Sequence, residues 1–244
     1  WAFGEMYKKG LIYEGFKSMN LCPRCETTLS NFEVSQGYKD ITDISVYTKF
    51  ELKHSPDTFL LAWTTTPWTL PGNVSLAVGK DFEYVKIQEV RTVIFNTPET
   101  RGEYKSPSFE TLIMAKDIYV QLSENTNFFE NKGYKVIQEM AGSDLVGLEY
   151  EPLFPELKTH MQSSELRKEE FSTWENGWKV YAGDFVTTTD CTGIVHIAPM
   201  YGNDDFDLAT KNKLPKLHTV NDSGHFVSGL VPEFLAGRYV KEKD

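Results

Sequence analysis

The run TFLLAWTTT, residues 58–66, ends against Pro67, and that junction constrains the chain more than any other feature. Aliphatic and β-branched residues in succession read as a buried strand. A residue before proline is steered away from the helical region, and proline cannot donate to a central ladder. The chain must therefore leave the sheet just after Thr64, Thr65 and Thr66. Short extended pieces of the same kind recur: LIYEGF from Leu11, SVYTKFEL alternating from Ser45, LIMA (112–115), YKVIQEM (134–140), WKVYAGDFV (178–186) and GIVHIAP (193–199). FEYVKIQEV (82–90) and RTVIFN (91–96) read as the two arms of a hairpin, and TPETRGEYKSPS (97–108) as a mobile loop. Residues 220–227, VNDSGHFV, read as a turn-closed hairpin.

Helical signals are few. Residues 1–10 read as the end of a short helix stopped by Gly10. KDIYVQLSEN (116–125) reads as a short helix, and NDDFDLATKNKL (203–214) as another, with Asn203 as its expected cap. Residues 157–177 are polar, either a helix or a loop insertion. Many short strands with a few segregated helices predict an α+β fold with a barrel-like, mainly antiparallel sheet, and not a regular βαβ alternation.

Composition excludes several classes. With 25 Lys+Arg against 35 Asp+Glu the net charge is −10, whereas a primary nucleic-acid binder needs a basic surface to neutralise phosphates. An acidic domain can still receive one end of a nucleic acid that another domain delivers. Hydrophobic residues at 40% and aromatics at 14% exclude disorder, and no stretch approaches a membrane span. Three cysteines cannot build a disulfide framework and fit a reducing cytoplasm. The start at Trp1, without an initiator Met or a signal peptide, suggests a piece of a longer chain.

Three constellations can carry chemistry. In TTTPWTLPGN (64–73) the exit from the sheet gathers hydroxyls and freed amides around one small space, although a β-branched run is more often merely strand. In GIVHIAP, strand alternation puts Ile194, His196 and Ala198 on one face and Val195 and Ile197 on the other; a lone strand histidine is most often a core residue. Asp204 and Asp205 then fall in the first turn of a helix, where the dipole alone explains acids. Yet a carboxylate in a crevice at a sheet edge also suits an ammonium group. Cys22-Pro23-Arg24-Cys25 looks like half of a zinc ribbon, and a structural zinc wants four ligands.

WTTTPWTLPGN (63–73) together with TGIVHIAPMYGNDD (192–205) resembles the editing domain of isoleucyl-tRNA synthetases, the connective-peptide insertion of the class I catalytic fold. LSNFEVSQGYKD (29–40) is more like the eukaryotic-type branch, which also occurs in some bacteria. The resemblance spans nearly the whole chain. It implies a stem at 1–48 carrying the CPRC half-site, an editing domain at 49–230, and a return stem at 231–244. It implies hydrolysis of mischarged valyl-tRNA(Ile) by a bound water, with the larger isoleucine turned away by size. Carried over, Thr64, Thr65, Thr66 and Asp205 are catalytic, with Asp205 holding the α-ammonium. Trp68, Asn73, His196 and Asp204 bind substrate, and His196 faces the amino-acid side chain.

The same resemblance implies no cofactor for editing. Zinc becomes possible only in a longer enzyme that completes the Cys22 and Cys25 half-site, and ATP belongs to a catalytic domain whose HIGH and KMSKS signatures are absent here. The implied partners are the tRNA(Ile) 3′ end carrying valine and the rest of a synthetase chain, in a monomeric, cytoplasmic protein that does not touch membranes. Cys191 stands where the family usually has glycine, and about 160–178 looks like an insertion. The alternative is a non-catalytic module that binds the tRNA 3′ end or a protein. A zinc-ribbon interaction domain is disfavoured by the single C-x-x-C.

Overall fold

A computed structural model describes residues 1–13, 18–96, 101–124, 133–163, 174–189 and 191–241. In chain order the elements begin with α1 (Ala2–Lys8), β1 (Leu21–Cys22), β2 (Thr27–Thr28), α2 (Asn31–Gln36), β3 (Val46–Glu51) and β4 (Thr58–Thr64). Next come a 3-10 turn at Pro67–Gly72, β5 (Ser75–Val78), β6 (Glu83–Asn96), β7 (Arg101–Ala115) and α3 (Lys116–Glu124). Last are β8 (Gly133–Ala141), α4 (Gly142–Leu145), α5 (Pro155–Ser163), β9 (Lys179–Ala182), β10 (Ile194–Ile197) and α6 (Asn203–Asn212).

The fold is α+β, as expected, but the barrel-like expectation is not supported. Among the described residues the strands form three separate sheets: the β1–β2 hairpin, a three-stranded sheet in the order β10-β5-β9, and a five-stranded sheet in the order β3-β4-β7-β6-β8. Among the described residues β3 and β8 are the edges of the large sheet, so it does not close. The β4–β7 and β5–β9 pairs are parallel and the others antiparallel.

Strand alternation explains where the core sits. On β4 and its neighbours, Leu60, Ala62, Ile113, Ala115 and Tyr84 join Leu76, Val78, Val180 and Ile194 of the smaller sheet in one cluster. The main core therefore lies between the two sheets. The alternate residues Leu61, Val85, Ile87, Leu112 and Met114 form a second cluster, with Tyr119 and Leu122 of α3 packed on it. Leu208 of α6 covers Ala77 and Ile197 on the far side of the small sheet.

Several local expectations are corrected. Residues 82–96 are not a hairpin; β6 runs unbroken to Asn96 and pairs along its length with β7. The loop expected at 97–108 shrinks accordingly, because 101–108 belong to β7, while 97–100 lie outside the described residues. A helix was missed at α2, within a region read as extended pieces. Its start is a capping box, Ser30 Oγ accepting from the Glu33 amide while the Glu33 carboxylate accepts from Ser30 N. Asn203 is not the cap of α6; Gly202 occupies that position, without a side-chain cap. The polar stretch begins as α5, and 164–173 are outside the described residues. The 220–227 hairpin is present, closed by a Val220–Phe226 bridge and an Asn221 side chain that accepts from the His225 amide at 2.8 Å.

No helix among the described residues is long and apolar enough to cross a membrane. Cys22 and Cys25 sit at the β1–β2 turn, and among the described residues no group of three or more His, Cys, Asp or Glu is placed to hold a metal. Two thiols do not complete a four-ligand zinc site. The residues present do not fit the metal by themselves.

Candidate active site

The chain leaves the large sheet at Thr64, and Pro67 opens the 3-10 turn at its first position, where a missing N–H costs nothing. β10 runs beside β4, entering through Gly193 in the left-handed region (φ +74°). A side chain at Gly193 would meet Ala115 Cβ at 2.4 Å, so both its conformation and its contact require glycine. Between the end of β4, the 3-10 turn, β10 and the start of α6 lies a cavity of about 180 Å³. Its wall includes Thr64, Thr66, Thr69, His196, Tyr201 and Asp205.

The hydrogen bonds behind this wall fix where the His196 ring proton sits. The Ser75 carbonyl can only accept, so the Asn73 amide nitrogen faces it, donating at 2.9 Å. The other Asn73 N–H points at His196 Nδ1 at 3.4 Å, which must then carry a lone pair. The ring proton therefore sits on Nε2, which donates to Thr69 Oγ1 at 2.8 Å. Thr69 passes its own proton to the Thr66 carbonyl at 2.8 Å. On the other side of the amide, the Tyr150 hydroxyl donates to Asn73 Oδ1 at 2.6 Å.

Both nitrogens of His196 are thus engaged, and burial pushes its pKa down to about 4. At neutral pH it is an uncharged ring clamped at two points. It has no spare lone pair for a general base. Asp205 is the opposite case. One carboxylate oxygen accepts from the Ala198 amide at 2.8 Å, and desolvation, outweighing that bond, raises its pKa to about 6. Gly202 leaves room for the other oxygen, since a Cβ there would stand 2.1 Å from Asp205 Oδ2. At pH 7 the group is mostly a carboxylate, partly buried, with no cation beside it among the described residues.

These two shifts oppose one another in stability. His196 titrates at 6.5 unfolded and about 4 folded, so stability is lost as pH falls through that window. Asp205 titrates at 3.8 unfolded and about 6 folded, so stability is gained as pH falls through its window. Each effect is worth about 3 kcal/mol. Urea melts of Asp205→Asn should show an acid-induced loss between pH 6.5 and 4 that the native chain largely conceals, and His196→Gln should show the reverse.

The remaining residues named from the sequence are dispersed around this cavity. Thr64 is buried, and its Oγ1 accepts from the Thr66 amide at 3.1 Å. That amide and the Thr69 amide, which donates to the Thr66 carbonyl, are therefore not free for a ligand. Thr66 is exposed at the mouth, its hydroxyl 3.3 Å from that of Thr64. Thr65 is exposed and does not line the cavity. Trp68 stands behind the wall, edge-on to Tyr201 with ring centroids 5.2 Å apart and its Nε1 buried without a partner among the described residues. Asn73 backs His196 from the core, and Asp204 is exposed on α6.

Thr69 and Tyr201 are among the wall residues that were not foreseen. Thr69 has only its place in the TTTPWT run to signal it. Tyr201 is held by its hydroxyl, which accepts from the amides of Thr219 and Val220 at 2.8 and 2.9 Å. A polar mouth, a rigid neutral wall and one carboxylate suit a small apolar group that carries an ammonium. They offer no nucleophile–base pair.

A family profile described as tRNA synthetases class I (I, L, M and V) matches residues 1–219, and the chain belongs to that family. An isoleucine–tRNA ligase of Tetrahymena thermophila is 38% identical over 248 residues, covering 100% of this chain and 20% of its own length. A cytoplasmic isoleucine–tRNA ligase of Saccharomyces cerevisiae is 39% identical over 251 residues, with the same coverage of 100% and 20%. The chain thus spans about a fifth of the length of the curated relatives it matches. A crystal structure of the P. knowlesi cytosolic leucyl-tRNA synthetase editing domain aligns at 14% identity and a TM-score of 0.43, over 73% of this chain and 67% of that one.

Proposed function

We propose that this chain is the editing part of an isoleucyl-tRNA synthetase and hydrolyses valine esterified to tRNA(Ile). The observation that carries the reading is the cavity of about 180 Å³ whose lining brings together one carboxylate, Asp205, and a clamped neutral ring, His196. Asp205 takes the α-ammonium, and the side chain of valine lies against His196. The threonine hydroxyls at the mouth hold the ester and a water. An aminoacyl ester is already activated, so positioning and charge stabilisation suffice without a covalent intermediate. The acidic balance of the chain fits a division of labour in which other parts of a longer protein grip the tRNA and only its 3′ end enters here. Such a protein works in the cytoplasm.

The direct test is incubation with labelled valyl-tRNA(Ile) and isoleucyl-tRNA(Ile). Release of valine with isoleucine spared supports the reading; binding without release of either supports a non-catalytic module. The threonines give a second expected outcome. Thr65→Val with Thr66→Val keeps the shape and removes both hydroxyls. Since both residues are exposed, stability should change by no more than about 1 kcal/mol in a urea melt, while valine release falls roughly tenfold. Full activity in that double variant means that neither hydroxyl takes part in hydrolysis.

A further inference from the structure

We propose that Tyr150, which does not line the cavity, is a positioning residue that sets the tautomer and ring orientation of His196 through Asn73. The selectivity part of this inference rests on the editing reading above; the tautomer part does not.

Tyr150 reaches Asn73 across 77 positions of sequence. It is 1% exposed, its ring stands edge-on to Phe50 at 5.2 Å, and its amide donates to the Trp178 carbonyl at 3.1 Å. The phenol is thus fixed by the core and not by the pocket. Burial holds its pKa well above the ordinary tyrosine range, so it acts only as a neutral hydroxyl. Its one proton goes to Asn73 Oδ1.

A carboxamide is nearly symmetric in shape and can sit either way round; only its partners choose. Here two partners choose together. The Ser75 carbonyl attracts the nitrogen end and the Tyr150 hydroxyl attracts the oxygen end. With that orientation set, Asn73 offers His196 Nδ1 a donor, and the proton is driven to Nε2. His196 can then donate to Thr69, which ties the β10 wall to the 3-10 turn at the pocket mouth. Without the tyrosine hydroxyl, Oδ1 has no other donor among the described residues, in a buried setting. The amide loses half of what fixes it. The alternative tautomer, with Nδ1 protonated toward an amide oxygen, then becomes accessible.

Tyr150→Phe is the test, since it deletes one oxygen and keeps the ring against Phe50. The full chain is labelled with 15N-histidine, and the His196 signals are identified by their loss in His196→Gln. At neutral pH the native protein should show a protonated Nε2 and a bare Nδ1. Tyr150→Phe should add a second population with Nδ1 protonated, and its preference for releasing valine over isoleucine should narrow roughly tenfold. Asn73→Asp, which offers Nδ1 only acceptors, should place the proton on Nδ1 and keeps the inference open to refutation should Tyr150→Phe not fold. A bare Nε2 in the native protein, a Tyr150→Phe spectrum identical to native, or an unchanged tautomer in Asn73→Asp overturns it. If the native chain releases neither amino acid, the editing reading fails while the spectra still decide the role of Tyr150.

Discussion

Replacing Asp205 by Asn is expected to lower kcat/KM for valyl-tRNA(Ile) hydrolysis by roughly 30-fold or more, and the matched Asp204→Asn variant by far less. Removing one member of a desolvated charge pair typically costs about 2–5 kcal/mol, because the partner charge is left without an opposite in a dry site. Asp205 lies at the cavity and is largely shielded from water, whereas Asp204, the residue before it on α6, is exposed. Asn keeps the acceptor for the Ala198 amide, so the comparison isolates the charge. The pH profile gives an independent check. With the free carboxyl titrating at about 6, kcat/KM should rise as pH increases through that value, and the inflection should vanish in Asp205→Asn. Equal rates for Asp205→Asn and the native chain would remove the ammonium-binding assignment.

His196→Ala is expected to admit isoleucine. Attraction cannot exclude the larger side chain, since more apolar surface binds better wherever it fits; only a wall can. Overpacking costs about 1–3 kcal/mol, so removing the wall should speed isoleucyl-tRNA hydrolysis roughly 5- to 150-fold while valyl-tRNA remains a substrate. A clamped ring is a better wall than a free one. His196 is held at Nε2 by Thr69 and at Nδ1 by Asn73, and it is uncharged at neutral pH. Paired deacylation assays with the two charged tRNAs decide the matter. If the variant loses valine release and still spares isoleucine, the histidine is not the wall, and Tyr201, on the same cavity, is the next residue to test.

Much of the fold could be read from apolar patterning. The strand before Pro67, the GIVHIAP strand and the helix after it follow from side-chain period and punctuation alone. The failure at 82–108 has a physical cause. Pro107 looks like a turn former, yet it pairs with Val90 where the β6–β7 register shifts, the irregular kind of place where a sheet tolerates proline. Helix α2 is six residues long with no buried face, so only its capping box announced it. At the site, the residues that touch the cavity from β4, β10 and α6 were legible because short motifs carry them. Their support was not. Thr69 is tied to His196 across 127 positions and Tyr150 to Asn73 across 77, distances over which a single sequence holds no signal.

Gly202 places a hidden weakness beside the strongest residue of the site. A single methyl group on its α-carbon would stand where the Asp205 Oδ2 atom now lies, so alanine there would displace the carboxylate without altering it. The acid would remain in every comparison of sequences while its aim was lost. On the editing reading, drift at this glycine outside the cavity wall would weaken hydrolysis, and inspection of the pocket motifs alone would pass such a protein as intact.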